Sequence, residues 1–333
     1  MKKEQVLAKL RSCGLVAVVR AKDADDAMRI AEACIEGGCA GIELTYTTPG
    51  VNAIIEKMAR EYDGTDFVIG AGTVMDPETA RMAILSGAQY VVSPYFNGDT
   101  VRLCNRYRVA CMPGAMSIAE VVAQRMYTSA VEIPTVTQTV KVDVTALLAF
   151  RKKLKEEGHA FSVNDFVLKA VAKALRRHPE ILVSLDGEQI IRRAHVNLGM
   201  AVALDAGLIV PVIRDADLLS LEALSAKAKD LAERARANQL GADEYKGSTF
   251  TVSNLGMFGV ESFTPIINQP DAAILGVNCT EDELVMEDDG TIAKHQVLRI
   301  SLTFDHRLLD GAVAAKFEMT VRDLLEHPMD ILL

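Results

Sequence analysis

The sequence contains no uninterrupted apolar run near the ~20 residues that a helix needs to span a bilayer, although half of its residues are hydrophobic. Its first residues, MKKEQVLAKLRSCG, form an amphipathic charged segment that lacks the apolar stretch and small-residue cleavage site of a secretory signal. These absences argue against membrane insertion and secretion, and we expect a cytoplasmic protein.

Cysteine pairs with C-x-x-C or other metal-like spacing are also absent. The chain has six cysteines, several of them in apolar runs: Cys13, Cys34, Cys39, Cys104, Cys111 and Cys279. This usage predicts reduced thiols in a cytosol and no metal site.

Clustered basic charge is missing as well. The formal net charge is -9, with 13 Lys and Arg against 15 Asp and Glu in residues 1–120, and 23 against 30 in the rest. A phosphate backbone requires clustered Lys and Arg, so the composition argues against a nucleic-acid partner.

The 333 residues exceed one ordinary hydrophobic core, and two different patterns divide them. Residues 1–120 alternate short apolar runs with amphipathic segments, which predicts five βα units with parallel strands. Residues 121–333 predict an α+β domain with a mixed sheet. No Pro/Ser/Gly-rich linker separates the two patterns, and the predicted boundary falls inside one candidate helix, 117–129, although domain junctions normally lie in flexible linkers.

The first half resembles the 2-keto-3-deoxy-6-phosphogluconate aldolase family, a (β/α)8 barrel. The matching stretches are VAVVRA, GIELTYTTPG, GAGTVMDPETARMAILSGAQYVVSP and CMPGAMSIAE. The resemblance places Glu43 at the family's proton-transfer glutamate and Thr73 and Pro94 at other family strand ends. The sixth strand, whose lysine forms the Schiff base, is missing, so we interpret all three residues as vestigial.

Aldolase chemistry needs an amine at a strand end, because only a lysine carbinolamine turns the ketone into an electron sink. The five lysines of this half lie elsewhere: Lys2, Lys3, Lys9, Lys22 and Lys57. We therefore expect no aldolase activity. Five strands cannot close a barrel, so we expect exposed sheet edges and an exposed apolar inner face.

The most informative motif of the second half is T-F-D-H-R-L-L-D-G-A, 303–312. By itself it has two interpretations. His306, flanked by Asp305 and Arg307, could belong to a charge-paired turn. It could equally be a general base, because histidine is the one ordinary side chain whose pKa lies near neutrality.

From about Val121 the chain resembles the catalytic domain of dihydrolipoamide acyltransferases, the core of 2-oxo acid dehydrogenase complexes, with a chloramphenicol acetyltransferase-like fold. The matching stretches include TVTQTVKVDVTALLAFRKKL, VNLGMAVALDAGLIVPVIRDAD, KGSTFTVSNLGMFGVESFTPIINQPDAAILGV and the closing motif. The resemblance implies transfer of an acyl group between dihydrolipoamide and coenzyme A. The segment GMFGVESFTPIINQP is more similar to acetyl-transferring members than to succinyl-transferring ones, so we expect an acetyl group.

The same resemblance assigns roles to particular residues. His306 is the general base, and the Ser253 hydroxyl stabilises the oxyanion. Asp310 holds the loop and the imidazole, through an ion pair with Arg125 as one hypothesis, while local helix capping is the alternative for Arg125. Gly311 permits the turn or a close approach of the last helix.

The resemblance also implies partners. His306 of one chain meets Ser253 of the next in a homotrimer, and trimers join into cubic cores of about 24 chains or dodecahedral cores of about 60. The apolar end, 329–333, resembles the contact between trimers, with core packing as the alternative. No lipoyl domain precedes the catalytic domain, so we expect the lipoyl group in trans. A self-assembling scaffold fusion without required catalysis is a second hypothesis.

Overall fold

The computed structural model describes residues 3–116, 118–186, 189–204, 207–241 and 243–332. These residues fold into two compact units, Met1–Gln124 and Arg125–Leu333. The division falls within one helix, α6 (Ile118–Glu132).

The first unit is a run of βα units preceded by one helix. Its elements are α1 (Lys3–Cys13), β1 (Ala17–Val19), α2 (Ala24–Glu36), β2 (Gly41–Thr45), α3 (Val51–Glu61), β3 (Val68–Gly72), α4 (Pro77–Leu85), β4 (Tyr90–Ser93), α5 (Gly98–Arg106) and β5 (Ala110–Pro113). The strands form one sheet in the order β1-β2-β3-β4-β5, with every neighbouring pair parallel. The predicted partial barrel of five strands is confirmed.

One face of this sheet is covered by the connecting helices. Ile42, Leu44, Ile69 and Val91 point to that face and pack in one cluster with apolar side chains of α2, α3 and α4. Asp23, Asp76 and Asn97 cap the first turns of α2, α4 and α5 with their side-chain oxygens. The amphipathic segments predicted from the sequence, together with these caps, therefore account for this layer.

The opposite, inner face is partly covered by α1. Val6 and Leu10 of that helix pack against Val68, Tyr90 and Ala110, which alternate along their strands with the residues that face the other helices. The expected exposure of the inner face therefore holds only in part, because the amphipathic first segment folds onto β3, β4 and β5. Val18 of β1 lies on the same inner face and is 51% exposed. β1 and β5 are the edge strands of the sheet, as expected.

The second unit is α+β with a mixed sheet, as predicted. After α6 its elements are β6 (Thr135–Asp143), α7 (Thr145–Glu156), α8 (Val163–Arg177), β7 (Val183–Asp186), β8 (Gln189–Arg192), β9 (Leu198–Met200), β10 (Val202–Leu204), β11 (Gly207–Ile209), β12 (Val212–Ile213), α9 (Leu221–Arg236), β13 (Phe250–Asn254), β14 (Ala273–Met286), β15 (Ile292–Asp305), α10 (Gly311–Glu326) and α11 (Met329–Leu332). β14 and β15 are two long strands, because their ladder continues through a register shift after Val277.

The main sheet of this unit has the order β12-β9-β13-β14-β15-β6. Phe250, Val252 and Phe304 point to one face, where they share the largest core with side chains of α8, α9 and α10. The chain between β13 and β14 covers the other face, since Ile267 packs on Ile274 there. The central strands are thus buried on both faces.

The described residues of the apolar C-terminal segment are partly buried and partly exposed. Ile331 is buried in the core, whereas Met329 and Leu332 are 56% and 49% exposed. Leu333 lies outside the described residues. Among the helices of the described part, none is long and apolar enough to cross a membrane.

Candidate functional site

The D-H-R triplet contains an ion pair, of which only the aspartate is buried, and an exposed imidazole between the two charges. Asp305 is 2% exposed, and both of its oxygens accept hydrogen bonds from the Arg307 guanidinium, including Nη2 to Oδ2 at 2.7 Å. The Arg307 amide also donates to Asp305 Oδ1. His306, between them, is exposed. The two charged residues therefore satisfy each other and leave the histidine free for contacts with other molecules.

The backbone around His306 is fixed from two directions. Its amide donates to the Pro134 carbonyl at 3.0 Å, and the Asp305 amide donates to the Ala272 carbonyl at 2.8 Å. The ring packs near Phe304, with centroids 5.7 Å apart. Within the described part of the chain, neither ring nitrogen has a hydrogen-bond partner.

Asp310 and Gly311, near the end of the motif, lie at the start of α10, the last long helix. Asp310 is the N-cap of α10, and its Oδ1 accepts hydrogen bonds from the Ala312 and Val313 amides, each at 2.9 Å. A Cβ at Gly311 would lie 3.1 Å from Gln138 Nε2, and that nitrogen donates to the Gly311 carbonyl. The glycine thus permits the close approach of α10 to β6.

Ser253 lies on β13, on the face of the main sheet that the helices do not cover. Its strand partner is Gly276, and the Phe263 ring fills the space above that glycine. The next residue along the strand is held separately, because Asn254 Nδ2 donates to Asn164 Oδ1 at 3.0 Å. Ser253 is half-buried, next to the strand position that the Phe263 ring covers.

Within one chain the two predicted catalytic residues do not meet. Ser253 is level with Gly276 of β14, whereas Phe304 is level with Ala273, and His306 lies two residues further along. Two strand spacings and about five residues of strand rise separate them, which amounts to roughly 20 Å. A single chain therefore does not bring Ser253 within hydrogen-bonding distance of His306.

Arg125 contacts a different residue from the one expected. Its Nη2 donates to the Gln269 carbonyl at 3.3 Å, and its charge acts on the nearby Asp271. Asp310 uses its Oδ1 for two helix amides, and the described residues of one chain contain no ion pair between it and Arg125. The hypothesised ion pair is thus not formed within the chain.

Sequence reasoning missed a buried polar network beside Ser253. Asp271 is 4% exposed and accepts hydrogen bonds from Thr251 Oγ1 at 2.6 Å and Ser248 Oγ at 2.9 Å. Asn268 Nδ2 lies within hydrogen-bonding distance of both hydroxyls. Burial raises the pKa of Asp271 to about 7 against the opposing effect of these hydrogen bonds. The sequence feature that could have indicated this network is the aspartate directly before the apolar run AAILGV.

In the first unit the three positions that we interpret as vestigial lie on or directly after neighbouring strands. Glu43 stands on β2 with its carboxylate over Gly72, where a Cβ would come within 1.8 Å of Oε1. Burial raises the pKa of Glu43, opposed by the charge of Arg20. Thr73 follows β3 with a left-handed φ of 56°, and Pro94 follows β4 on the surface.

The described lysines of this unit lie on helices or before one, and none follows a strand directly. Lys3 and Lys9 belong to α1, Lys57 belongs to α3, and Lys22 lies just before α2. The described residues of the whole chain contain no group of three or more His, Cys, Asp or Glu that could hold a metal ion.

Comparison with known proteins identifies the second unit. Residues 115–333 match the family described as 2-oxoacid dehydrogenases acyltransferase (catalytic domain). The chain belongs to this acyltransferase family. A second family, described as KDPG and KHG aldolase, matches residues 6–133. Both resemblances stated from the sequence are confirmed.

Two curated relatives illustrate the similarity of this family member. The dihydrolipoyllysine-residue acetyltransferase of the acetoin cleaving system of Bacillus subtilis is 42% identical over 219 residues, which cover 64% of this chain and 55% of the relative. The corresponding component of the pyruvate dehydrogenase complex of Zymomonas mobilis is 40% identical over 65% of this chain and 50% of its own length. The chain thus spans about half the length of the curated relatives it matches.

Solved structures agree with this assignment. The dihydrolipoamide acetyltransferase of Azotobacter vinelandii is 41% identical with a TM-score of 0.61, over 64% of this chain and 90% of that one. That structure was used to study a serine, a histidine and an asparagine, four residues after the histidine, in catalysis. The cubic core of a pyruvate dehydrogenase complex is 39% identical, with a TM-score of 0.61, over 66% of this chain and 95% of that one.

Proposed function

We propose that this family member transfers an acetyl group between dihydrolipoamide and coenzyme A, with His306 as general base and Ser253 as oxyanion donor. The observation that carries the proposal is the exposed imidazole of His306, which stands between the paired Asp305 and Arg307 and has no partner in the described part of its own chain. The lipoyl group would come from another molecule.

The chemistry follows from these two groups. His306 takes the proton from the attacking thiol, and the thiolate attacks the thioester carbonyl. Negative charge develops on the carbonyl oxygen, which the Ser253 hydroxyl stabilises by donating a hydrogen bond. Collapse of the intermediate expels the second thiolate, which recovers a proton from the imidazolium. A histidine suits this work because its ordinary pKa of about 6.5 lets it accept and return a proton near neutrality.

Spacing supports the assignment of both residues. The serine studied in the Azotobacter vinelandii enzyme precedes its histidine by 52 residues, and here Ser253 precedes His306 by 53. The asparagine four residues after that histidine corresponds in spacing to Asp310. Asparagine and aspartate are both good N-caps, so helix capping is the role for Asp310 that we propose, with Gly311 allowing the helix to approach β6.

The assembled site would lie between chains. The roughly 20 Å between Ser253 and His306 within one chain rules out direct cooperation there, given the ~3 Å reach of a catalytic hydrogen bond. A cyclic trimer, in which each chain offers His306 to one neighbour and Ser253 to the other, satisfies this constraint. Similarity to a cubic core favours further assembly of such trimers.

A transfer assay with acetyl-CoA and dihydrolipoamide tests the reaction. We expect His306→Ala to lower kcat at least ~10²-fold, which is the usual contribution of a positioned base. His159→Ala removes another exposed histidine and should leave the rate unchanged. Equal rates for the parent and His306→Ala would remove His306 from the mechanism.

Complementation tests the position of the site. When His306→Ala and Ser253→Ala chains are co-expressed, random mixing in a cyclic trimer leaves about a quarter of the interfaces with both residues intact. We therefore expect recovery of about a quarter of the parent rate. A mixture no faster than either variant alone would contradict a site shared between chains.

The two other hypotheses have separate tests. A self-assembling scaffold is favoured by the similarity to a cubic core, and light scattering would detect it as a large particle even if His306→Ala had no effect. A monodisperse monomer would contradict both the scaffold and the shared site. Borohydride trapping with pyruvate should label no lysine, because none lies directly after a strand in the described first unit.

A further inference from the structure

A tight turn folds the last strand of the first unit back onto its last helix. The Val109 amide donates to the Cys104 carbonyl at 2.9 Å, and the Arg108 amide donates to the Asn105 carbonyl at 3.0 Å. This pair of bonds is the Schellman pattern that ends many helices. Arg108 occupies the left-handed position, with φ of 56°, where glycine is usual. The turn places the end of α5 directly over the start of β5.

Two thiols meet across this turn. Cys104 of α5 is fully buried. Cys111 is partly exposed and lies on β5, an edge strand of the sheet. The two thiols lie close enough for each to shift the pKa of the other. Both residues belong to the same apolar cluster between helix and sheet.

A lysine supplies positive charge to the pair. Lys3 of α1 is fixed near the end of α5, because its Nζ donates to Asn105 Oδ1 at 2.8 Å. Its charge acts on both sulfurs. The site thus combines two interacting thiols in one apolar cluster, a nearby cation, and one partly exposed cysteine.

We propose that Cys104 and Cys111 form a redox pair, which a hydroperoxide such as hydrogen peroxide converts to a reversible disulfide. The Cys111 thiolate attacks one peroxide oxygen, so that the O–O bond breaks, sulfenic acid forms, and hydroxide leaves. The Cys104 sulfur then attacks the sulfenic sulfur, forming the S–S bond and releasing water after proton transfer. A dithiol returns both cysteines to thiols and is itself oxidised to a cyclic disulfide.

The electrostatics assign the two roles. The hydrogen bond from Cys104 and the charge of Lys3 lower the pKa of Cys111, opposed by burial. The shared hydrogen bond and burial raise the pKa of Cys104, so this thiol keeps its proton and acts second. The thiolate is the nucleophile in such oxidations, and the more exposed sulfur is the one that reaches peroxide.

Cys279 of the second unit provides a matched comparison. It is also partly exposed, but burial and the neighbouring carboxylate of Glu281 raise the pKa of its thiol. Cys279 should therefore react more slowly with peroxide than Cys111 at the same pH.

Mass spectrometry of the full chain tests the proposal without any mutation. The native protein is treated with dilute hydrogen peroxide, blocked with N-ethylmaleimide and digested with trypsin, which separates peptide 103–106 from peptide 109–125. We expect these peptides to appear linked, lighter by two hydrogen atoms, while Cys279 is still alkylated. Dithiothreitol should restore both alkylatable cysteines.

Two variants separate the roles. In Cys104→Ser, dimedone should trap Cys111 as sulfenic acid with no linked peptide. In Cys111→Ser, Cys104 should stay reduced. Linkage that forms equally well in urea, or oxidation of Cys279 as fast as Cys111, would overturn the proposal, because the folded turn would then contribute nothing.

Discussion

The two units of this chain each carry some of the residues that we assign to a site by resemblance, but each site is incomplete for a different reason. The second unit has both proposed reacting groups, His306 and Ser253, separated by roughly 20 Å along and across its sheet. The first unit keeps Glu43 at a strand of an open five-stranded sheet, with no described lysine directly after a strand. A second copy of the chain could complete the former site. No copy could supply the latter with the amine it needs.

The largest expected difference between the units is kinetic. Ser253→Ala should lower the kcat of acetyl transfer by ~10² to 10³, the usual loss when one oxyanion donor is removed. Its counterpart in the first unit, Glu43→Gln, should leave the rate unchanged. Initial rates at saturating acetyl-CoA measure both. A loss in Glu43→Gln similar to that in Ser253→Ala would mean that the first unit contributes to the reaction.

A buried acid in α10 should make the second unit less stable as pH rises. Glu318 is fully buried, and neither carboxylate oxygen has a hydrogen-bond partner in the described structure. Burial raises its pKa to about 7 from an ordinary 4.5, with a small opposing effect from the Leu302 backbone. The folded state therefore holds its proton longer than the unfolded chain. The stability is fully present below about pH 4.5 and is lost as pH rises to about 7.

Replacing this acid tests that assignment. At pH 8, Glu318→Leu should raise the free energy of unfolding of the second unit by up to about 3 kcal/mol, and at pH 4.5 by much less. Denaturant unfolding at the two pH values measures the change. Glu157→Gln, at an exposed site after α7, serves as control and should show no such pH dependence. A gain that is the same at both pH values would show that packing, not ionisation, is responsible.

The cap of α10 should matter for stability more than its charge does. Asp310→Ala removes the acceptor for two helix amides and should cost the second unit about 1 kcal/mol. Asp310→Asn keeps an acceptor and should stay within a few tenths of a kcal/mol of the parent. Thermal unfolding compares the two, and acetyl-transfer rates should follow the same order. A large loss of rate in a stable Asp310→Asn would instead assign the carboxylate a role beyond capping.

The smallest expected effect lies in the first unit. Tyr90 is fully buried, and its hydroxyl has no hydrogen-bond partner in the described structure. Tyr90→Phe removes this unpaired group and should stabilise the first unit by up to about 1 kcal/mol. Tyr107→Phe, at a position 38% exposed, should change little. Destabilisation by Tyr90→Phe, followed through the first unit's own unfolding transition, would indicate that the hydroxyl has a bound water or another partner.

Local patterns were enough to predict most of the elements. The alternation of apolar runs with amphipathic segments predicted all five strands of the first unit, because each apolar run is short and is followed by an amphipathic segment of helical period. The same reasoning did not predict where α1 packs, since an amphipathic helix can cover any apolar surface of suitable size. The separation of Ser253 from His306 also required the strand order, which pairs residues far apart in sequence.

The buried polar network around Asp271 could not be predicted from the sequence for a related reason. Its members are four ordinary polar residues, and only folding brings Ser248, Thr251, Asn268 and Asp271 into one buried cluster. Sequence motifs reveal residues whose chemical role can be recognised from each residue and its neighbours in sequence. They do not reveal groups whose effect depends on shared burial.

The outward position of His306 has a consequence for proton transfer. Its main chain is fixed by the Asp305–Arg307 fork and by two backbone hydrogen bonds, while the described part of its own chain holds neither ring nitrogen. The chain therefore orients the imidazole without choosing its tautomer. Whichever group reaches the ring first decides which nitrogen carries the proton. A reversible transfer uses this freedom, because in each direction the same ring first accepts a proton from the attacking thiol and then returns it to the leaving thiolate.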